Sequence, residues 1–518
     1  MLICLPIAAS AQYTFDALQY SQTQLRGTSR FNSMAGAFGA LGGDISTLGQ
    51  NPAGIGVYRS SDVNATIGLD FNSATTTDIK TTDTKFMFNN LGYVGAIKLD
   101  SETMPNLNWG LSYNRLNSFH RHYTGYLSGI PTSVTNYFAE KAMQDGMTGV
   151  DLASTSGYNP FWDGPARWDQ IAAFQTDLIN PTNPQRNQFS GLGYDGVDGD
   201  AEFEIIEDGH TNEYNIALGG NIHNKIYWGF DMGITDLEYN SYKYYGEALE
   251  NTVFPDQTES EYNVDGNAAL GIVNESRTVG TGVNFKFGVI VKPINELRFG
   301  IAFHTPTYYS MKDTYTGNIS SDFASEAFGS ETKTNLSEYP WNDVRYEIRT
   351  PWHFIGSVAT VIGGKAILSA DYEYTANQDM KIKDDYGYEL PDATNEIKSY
   401  LQASHNIRIG AEYRVTPNFS LRAGYSYQTS PTKDVVKNDE IDVEVSGTNP
   451  AYNYDNSIQH ITAGFGYHYK SFYLDTAYVN QCRKGNYHAF SGIEDLPTVG
   501  AEVKDNNNRV TATIGFRF

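Results

Sequence analysis

Asp62-Val-Asn-Ala-Thr-Ile-Gly-Leu-Asp-Phe71 sets Val63, Ala65, Ile67, Leu69 and Phe71 on one side of an extended chain, with Asn64, Thr66, Gly68 and Asp70 on the other. Side chains of a strand alternate between two faces, so this is a strand pattern with one greasy and one wet face. It runs about ten residues, the length a tilted strand needs to cross a bilayer. Such a wet inner face does not suit the core of a sandwich. It suits a barrel with lipid outside and a hydrated lumen inside.

The pattern recurs along the chain. Leu91, Tyr93, Gly95, Ile97 and Leu99 repeat it, then Leu107, Trp109, Leu111 and Tyr113. Paired blocks follow at 214–222 and 226–234, 283–291 and 297–303, 352–360 and 366–374, 407–413 and 419–427, and 459–469 and 472–478. The last is Val510, Ala512, Ile514, Phe516 and Phe518. Connections within pairs are short, such as His223-Asn-Lys and Thr416-Pro-Asn. Those between pairs are expected to be long loops, at 75–85, 118–211, 241–275, 307–349, 376–404, 429–455 and 481–507. Short and long connections alternating through about fourteen strands predict an all-β, antiparallel transmembrane barrel with tight periplasmic turns and long extracellular loops. Trp109, Tyr113, Trp228, Phe303, Trp352, Tyr374, Tyr413, Tyr427, Tyr469 and Tyr478 near strand ends fit the aromatic girdles of such a wall.

Composition agrees. The 518 residues include 49 Gly, 37 Tyr and 27 Phe but 9 Met. Mean hydropathy is −0.43, and no apolar run approaches the ~20 residues of a membrane helix. A net charge of −24 argues against a nucleic-acid partner, which asks for a basic face.

Residues 1–11 (Met-Leu-Ile-Cys-Leu-Pro-Ile-Ala-Ala-Ser-Ala) read as a signal peptide cleaved after Ala11, although a basic first segment is missing. Cleavage leaves Cys482 alone, so no intramolecular disulfide forms in the mature chain. No nucleophile elbow, phosphate loop or zinc-protease motif stands out. The chain therefore reads as no enzyme, with no catalytic residue, cofactor or resident metal.

Between signal and wall lies Met-Ala-Gly-Ala-Phe-Gly-Ala-Leu-Gly-Gly-Asp-Ile-Ser-Thr-Leu-Gly-Gln-Asn-Pro-Ala-Gly (34–54), nearly uncharged, with six glycines. Glycine permits close backbone approach and Pro52 fixes its own φ, so the stretch reads as a compact plug or as an ordinary loop. Residues 12–56 are expected to form a hatch and 57–518 the barrel. The loop 118–211 is too long to be bare. Helical spacing places Tyr137 and Phe138 in one helix and Trp168, Ile171 and Phe174 in another. They form either a local core or an external groove for a hydrophobic ligand. Asp195, Asp198, Asp200, Glu202 and Glu204 make either a solvated acidic loop or a calcium site. His120 and His122 are either solvated or a weak metal pair.

Asn51-Pro52-Ala53, closing a Gly/Ala-rich segment just before the first wall strand, resembles the FadL/TodX-type outer-membrane transporters of hydrophobic compounds. Arg26-Gly-Thr-Ser-Arg30 and the run 34–44 look like the Bacteroidota branch of that family. The resemblance implies a hatch tied to the wall at Asn51, Pro52, Ala53 and Gly54, and passive transport of long-chain fatty acids or similar compounds. It implies capture at the extracellular loops, passage into the lumen and sideways release into outer-membrane lipid beside a kinked strand. By position Gly110 is the kink residue. The large loops leave a second reading open, a barrel that binds or anchors partner proteins in a surface or secretion complex.

Overall fold

The computed structural model describes residues 14–192, 198–255, 263–325, 330–335, 341–445, 447–493 and 496–518. The signal-peptide reading and Asp195 lie outside them. Fourteen antiparallel strands form a closed wall. They are β1 (Asp62–Thr76), β2 (Ile79–Lys98), β3 (Asn106–Ser118, resuming as Arg121–Ser128), β4 (Asp198–Ile222), β5 (Ile226–Pro255), β6 (Asn263–Ile294) and β7 (Leu297–His304, resuming as Tyr308–Ser325). Then come β8 (Trp341–Arg349, resuming as His353–Ile362), β9 (Ala366–Thr375, with Lys381–Asp384 above), β10 (Ser404–Thr416), β11 (Phe419–Thr429), β12 (Tyr452–Tyr469), β13 (Phe472–His488) and β14 (Gly500–Arg517). β14 returns to β1 with Asp62 opposite Arg517 and Leu69 opposite Val510, which closes the ring.

The alternation of β1 is reproduced. Val63, Ile67, Leu69 and Phe71 are exposed on the outside, while Asn64, Thr66 and Asp70 are buried within.

The expectations about loops are corrected in several places, and most of 307–349 is wall, carried by Tyr308–Ser325 and Trp341–Arg349. Residues 75–85 are not a loop: β1 and β2 pair from Asp62 to Thr76 and turn tightly through Thr77 and Asp78 at φ 48° and 67°. Most of 241–275 is likewise wall, since β5 and β6 are 30 and 32 residues long. A bilayer needs only ~10 residues per strand, so the wall rises well beyond the membrane. Outside lipid both faces meet water, the greasy alternation lapses, and a strand reads as a loop.

The extracellular segment between the two halves of the β3–β4 connection folds into a cap. Helices α3 (Val134–Gln144) and α4 (Trp168–Gln175) bury Tyr137, Phe138 and Ile171 against Phe203 and Leu249 of the wall and Phe490 of the last loop. Phe203 and Tyr487 stack at 3.9 Å between centroids.

Candidate functional site: the filled lumen and an interruption in its wall

Residues 14–58 run through the barrel. Helix α1 (Thr14–Ser21) stands in the extracellular half, with Leu18 and Tyr20 packed among Phe119, Tyr239, Tyr309 and Tyr400. The chain then descends to α2 (Ser29–Ser33) and two short 3-10 turns, Ile45–Gly49 and Pro52–Val57. Each turn is capped by a side chain. Thr28 Oγ1 accepts from Phe31 N, Asp44 from Ser46 N, and Asn51 from Ala53 N.

Asn51 is fully buried. Its Nδ2 donates to the Gly39 carbonyl at 2.6 Å, and its Oδ1 accepts from Ala53 N at 3.1 Å. The Pro52 carbonyl lies against Gly229 of β5, where an added Cβ would sit 2.1 Å from that oxygen. Ala53 packs with Tyr227 and Ile290. Gly54 faces Gly42 so closely that a Cβ would meet Thr47 Oγ1 at 2.3 Å.

Arg26 reaches from this segment to the wall. Its Nη2 donates to Asp70 Oδ2 at 2.6 Å and its Nη1 to Asn89 Oδ1 at 3.0 Å. Asp70 also accepts from Arg509 Nε at 3.0 Å, and Arg509 reaches the Leu25 carbonyl at 2.6 Å. The sequence reading passed over this cluster. Asp70 on the wet face of a wall strand was its one visible signal, because a buried carboxylate requires a cation.

Asn89 is a bulge. Thr66 of β1 faces Asn90 and Ile67 faces Phe88, which leaves Asn89 extra. At that level the β2–β3 ladder stops: its last pair is Asn90 with Asn114. Beyond it β3 pairs only with β4, and Leu116 is the extra residue of a second bulge between Arg115 and Asn117. Phe86 and Phe88 are exposed beyond the last pair, so the interruption falls within the apolar belt. The descending chain backs onto it. Gln24 N donates to the Leu116 carbonyl at 2.9 Å, Gln24 Nε2 to Ser118 O at 3.0 Å, and Asn117 Nδ2 to Gln22 O at 3.2 Å.

Behind this segment is a cavity of about 160 Å³ that touches Asn114 and Leu116 on one side and β6–β12 on the other. Leu25, Phe31 and Ile355 give it an apolar side; Lys286, Glu373 and Arg408 give it a charged one.

Gly110 is corrected as the kink. It pairs with Val94 on one side and Ala217 on the other without a register shift. Its lack of a side chain serves the filling of the lumen instead: a Cβ there would lie 3.0 Å from Ile55 Cδ1 and 3.2 Å from Leu48 Cδ1. The external groove is corrected too. Tyr137, Phe138 and Ile171 are at most 1 % exposed and Trp168 8 %, while Phe174 lies edge-on to Phe189, so these side chains form the interior of the cap. Asp198, Asp200, Glu202 and Glu204 lie along β4 rather than converging, with Asp200 held by Tyr126 and Glu204 by His122. His120 contacts Asp83 and Asp208. Among the described residues no three His, Cys, Asp or Glu gather as a metal site.

The sequence matches the family model described as outer membrane protein transport protein (OMPP1/FadL/TodX) over residues 222–492. A Pseudomonas aeruginosa FadL homologue superposes with a TM-score of 0.53 at 13% identity, covering 96% of this chain and 100% of its own. The Pseudomonas putida toluene transporter TodX gives 0.49 at 12% identity, covering 96% and 99%. At such identities the first of these likenesses shows the fold. No curated protein matches the sequence. The family match spans more than half of the chain and falls on a closed fourteen-strand wall: this chain belongs to the FadL/TodX family of outer-membrane proteins, transporters of hydrophobic compounds and not enzymes.

Proposed function

We propose that the protein passively carries long-chain fatty acids or similar amphiphiles across the outer membrane and releases them sideways at the β2–β3 interruption. The observation that carries this reading is the cavity wall itself. The internal cavity touches Asn114 and Leu116 where the ladder ends, so it meets the wall where the pairing between β2 and β3 is open. On the lumen side the 22–26 segment and its bonds to Leu116, Ser118 and Asn89 stand in that way, and on the outside Phe88 stacks on Tyr113 across the two strands. A sideways exit spares a greasy ligand a passage through water.

The mixed lining favours an amphiphile over a bare hydrocarbon. An acyl chain would lie along Leu25, Phe31 and Ile355, and a polar head would face the ion pairs of Arg408 with Glu373 and of Lys286 with Glu213. Asn51, Pro52, Ala53 and Gly54 hold the lower hatch on the wall in this reading, and Gln24 with Arg26 forms the movable stop. Capture starts at the cap, whose buried core makes it a lid rather than an open groove.

The test is photolabelling with a diazirine-bearing C16 fatty acid in the purified protein. Label on Gln24, Leu25 or Leu116, reduced by excess oleate, is the expected result. Label confined to the outer wall, with none in the lumen, would refute the route. Stoichiometric copurifying proteins with an empty lumen would instead favour the partner-anchoring reading, for which the wall raised above the bilayer is the supporting feature.

A further inference from the structure

We infer that the outer face of β7–β9 just above the apolar belt is a docking surface for the phosphorylated headgroup of an outer-leaflet lipid. Three strands are in register there. Tyr308 stands beside Arg349 and Arg349 beside Lys381; Ser310 beside Glu347 and Glu347 beside Lys383; Lys312 beside Arg345. Tyr309, Met311, Tyr346, Ile348 and Ile382 are buried. The alternate residues Lys312, Arg345, Arg349, Lys381 and Lys383 therefore face outward.

Five cations on one face are unexpected in a chain of net charge −24. Two have carboxylate partners: Lys312 meets Asp343 at 2.9 Å and Lys381 meets Glu389 at 2.6 Å. Among the described residues Arg345, Arg349 and Lys383 have none within salt-bridge distance, and Arg349 Nε is buried without a hydrogen-bond acceptor. The Arg349 guanidinium lies 5.6 Å from the Trp352 ring centroid. That contact places it at the edge of the belt that Trp352, Phe303 and Phe354 form.

Height and charge together identify the occupant. The row Tyr308–Arg349–Lys381 is the first above those belt aromatics, the level at which lipid headgroups stand. Guanidinium and ammonium groups pair with phosphate oxygens, Arg by two parallel bonds. Tyr386 and Tyr388, 86 % and 74 % exposed, stand at the tip of the hairpin that continues this strand upward from Lys383. The rim over β4 and β5 is the contrast: Glu202, Glu204, Asp236 and Glu238 face outward there, and the neighbouring Arg277 is already paired with Glu238 at 3.0 Å.

The test is native mass spectrometry of the full-length protein in detergent. The probes are a bisphosphorylated diglucosamine lipid (lipid A), its dephosphorylated form and inorganic phosphate as competitor. The wild type is expected to retain lipid A at least tenfold better than the dephosphorylated lipid, with no displacement by millimolar phosphate. The Arg345→Gln/Arg349→Gln/Lys383→Gln variant should lose roughly a hundredfold in retention, at about fivefold per cation. A Lys98→Gln/Lys225→Gln/Lys292→Gln control at the periplasmic end should lose nothing. Heat-dependent gel migration reports folding, and Lys383→Gln alone serves if the triple variant does not fold. Equal retention of both lipids, equal loss in the control, or stripping by free phosphate would overturn the inference.

Discussion

Replacing Arg26 by Met removes the charge and keeps most of the stem. Arg26 and Asp70 are 2% and 4% exposed and 2.6 Å apart. Removing one partner of such a pair strands the other and costs ~3–5 kcal/mol. Asp70 keeps Arg509 at 3.0 Å, so the lower end applies, about 3 kcal/mol. That energy falls on the attachment of residues 22–28 to the wall, because Arg26 also gives up its bonds to Asn89 and Gln24. The fourteen-strand ladder is untouched. A local opening equilibrium should then shift by roughly 150-fold. Amide hydrogen exchange on the detergent-solubilised protein reads this directly. The amides of Gln24 and Thr28, bonded to Leu116 O and Ser46 Oγ, should exchange about two orders of magnitude faster, with the β10–β13 amides unchanged. An acceleration under fivefold would refute the reasoning, since the clamp would then carry none of the attachment.

Gly229→Ala sets a methyl against the Pro52 carbonyl at 2.1 Å and should cost ~1–3 kcal/mol of lumen packing, seen as a lower unfolding temperature; an unchanged temperature would mean Pro52 is not seated on β5. Phe138→Ala opens a hole in the cap core and should cost ~3–5 kcal/mol there, read as faster proteolysis within 129–192 with no change in the heat-modified gel shift of the barrel. Burial, then Glu444 and Asp392, pushes Glu396 on the loop helix Pro391–Tyr400 up to about 7. A raised carboxyl gives stability that is present below the unfolded value of ~4.3 and is lost as pH rises to about 7. Cleavage within 391–400 should therefore quicken between pH 5 and pH 8, and Glu396→Gln should flatten that dependence; a flat wild-type profile would contradict it.

The wall was legible because lipid on one face and water on the other force a period of two, as from Val63 to Phe71. Where β5 and β6 leave the bilayer that contrast ends, and Ser241 to Glu275 reads as loop although it is mostly strand. Helical spacing found Tyr137, Phe138 and Trp168, but spacing alone does not say whether an apolar face is covered, and here the wall covers it. Gly110 shows the same limit: a glycine in a strand marks either a kink or a close approach, and the approach of Ile55 and Leu48 decides it. The bulges at Asn89 and Leu116 carry no local sequence signal, since they arise from the register of three strands at once.

Deletion of Asn89 tests the sideways exit most directly. Without the extra residue, Asn90 and Phe88 continue the in–out alternation opposite Thr66 and Ile67, and β2 regains a regular edge to meet β3. Uptake of radiolabelled oleate would be measured in cells lacking their own long-chain fatty-acid transporter, with surface levels of the protein matched. The expected result is loss of uptake by at least tenfold on deletion, while Asn89→Ala, which keeps the bulge, retains most of it. Uptake by the deletion variant equal to wild type would contradict release between β2 and β3.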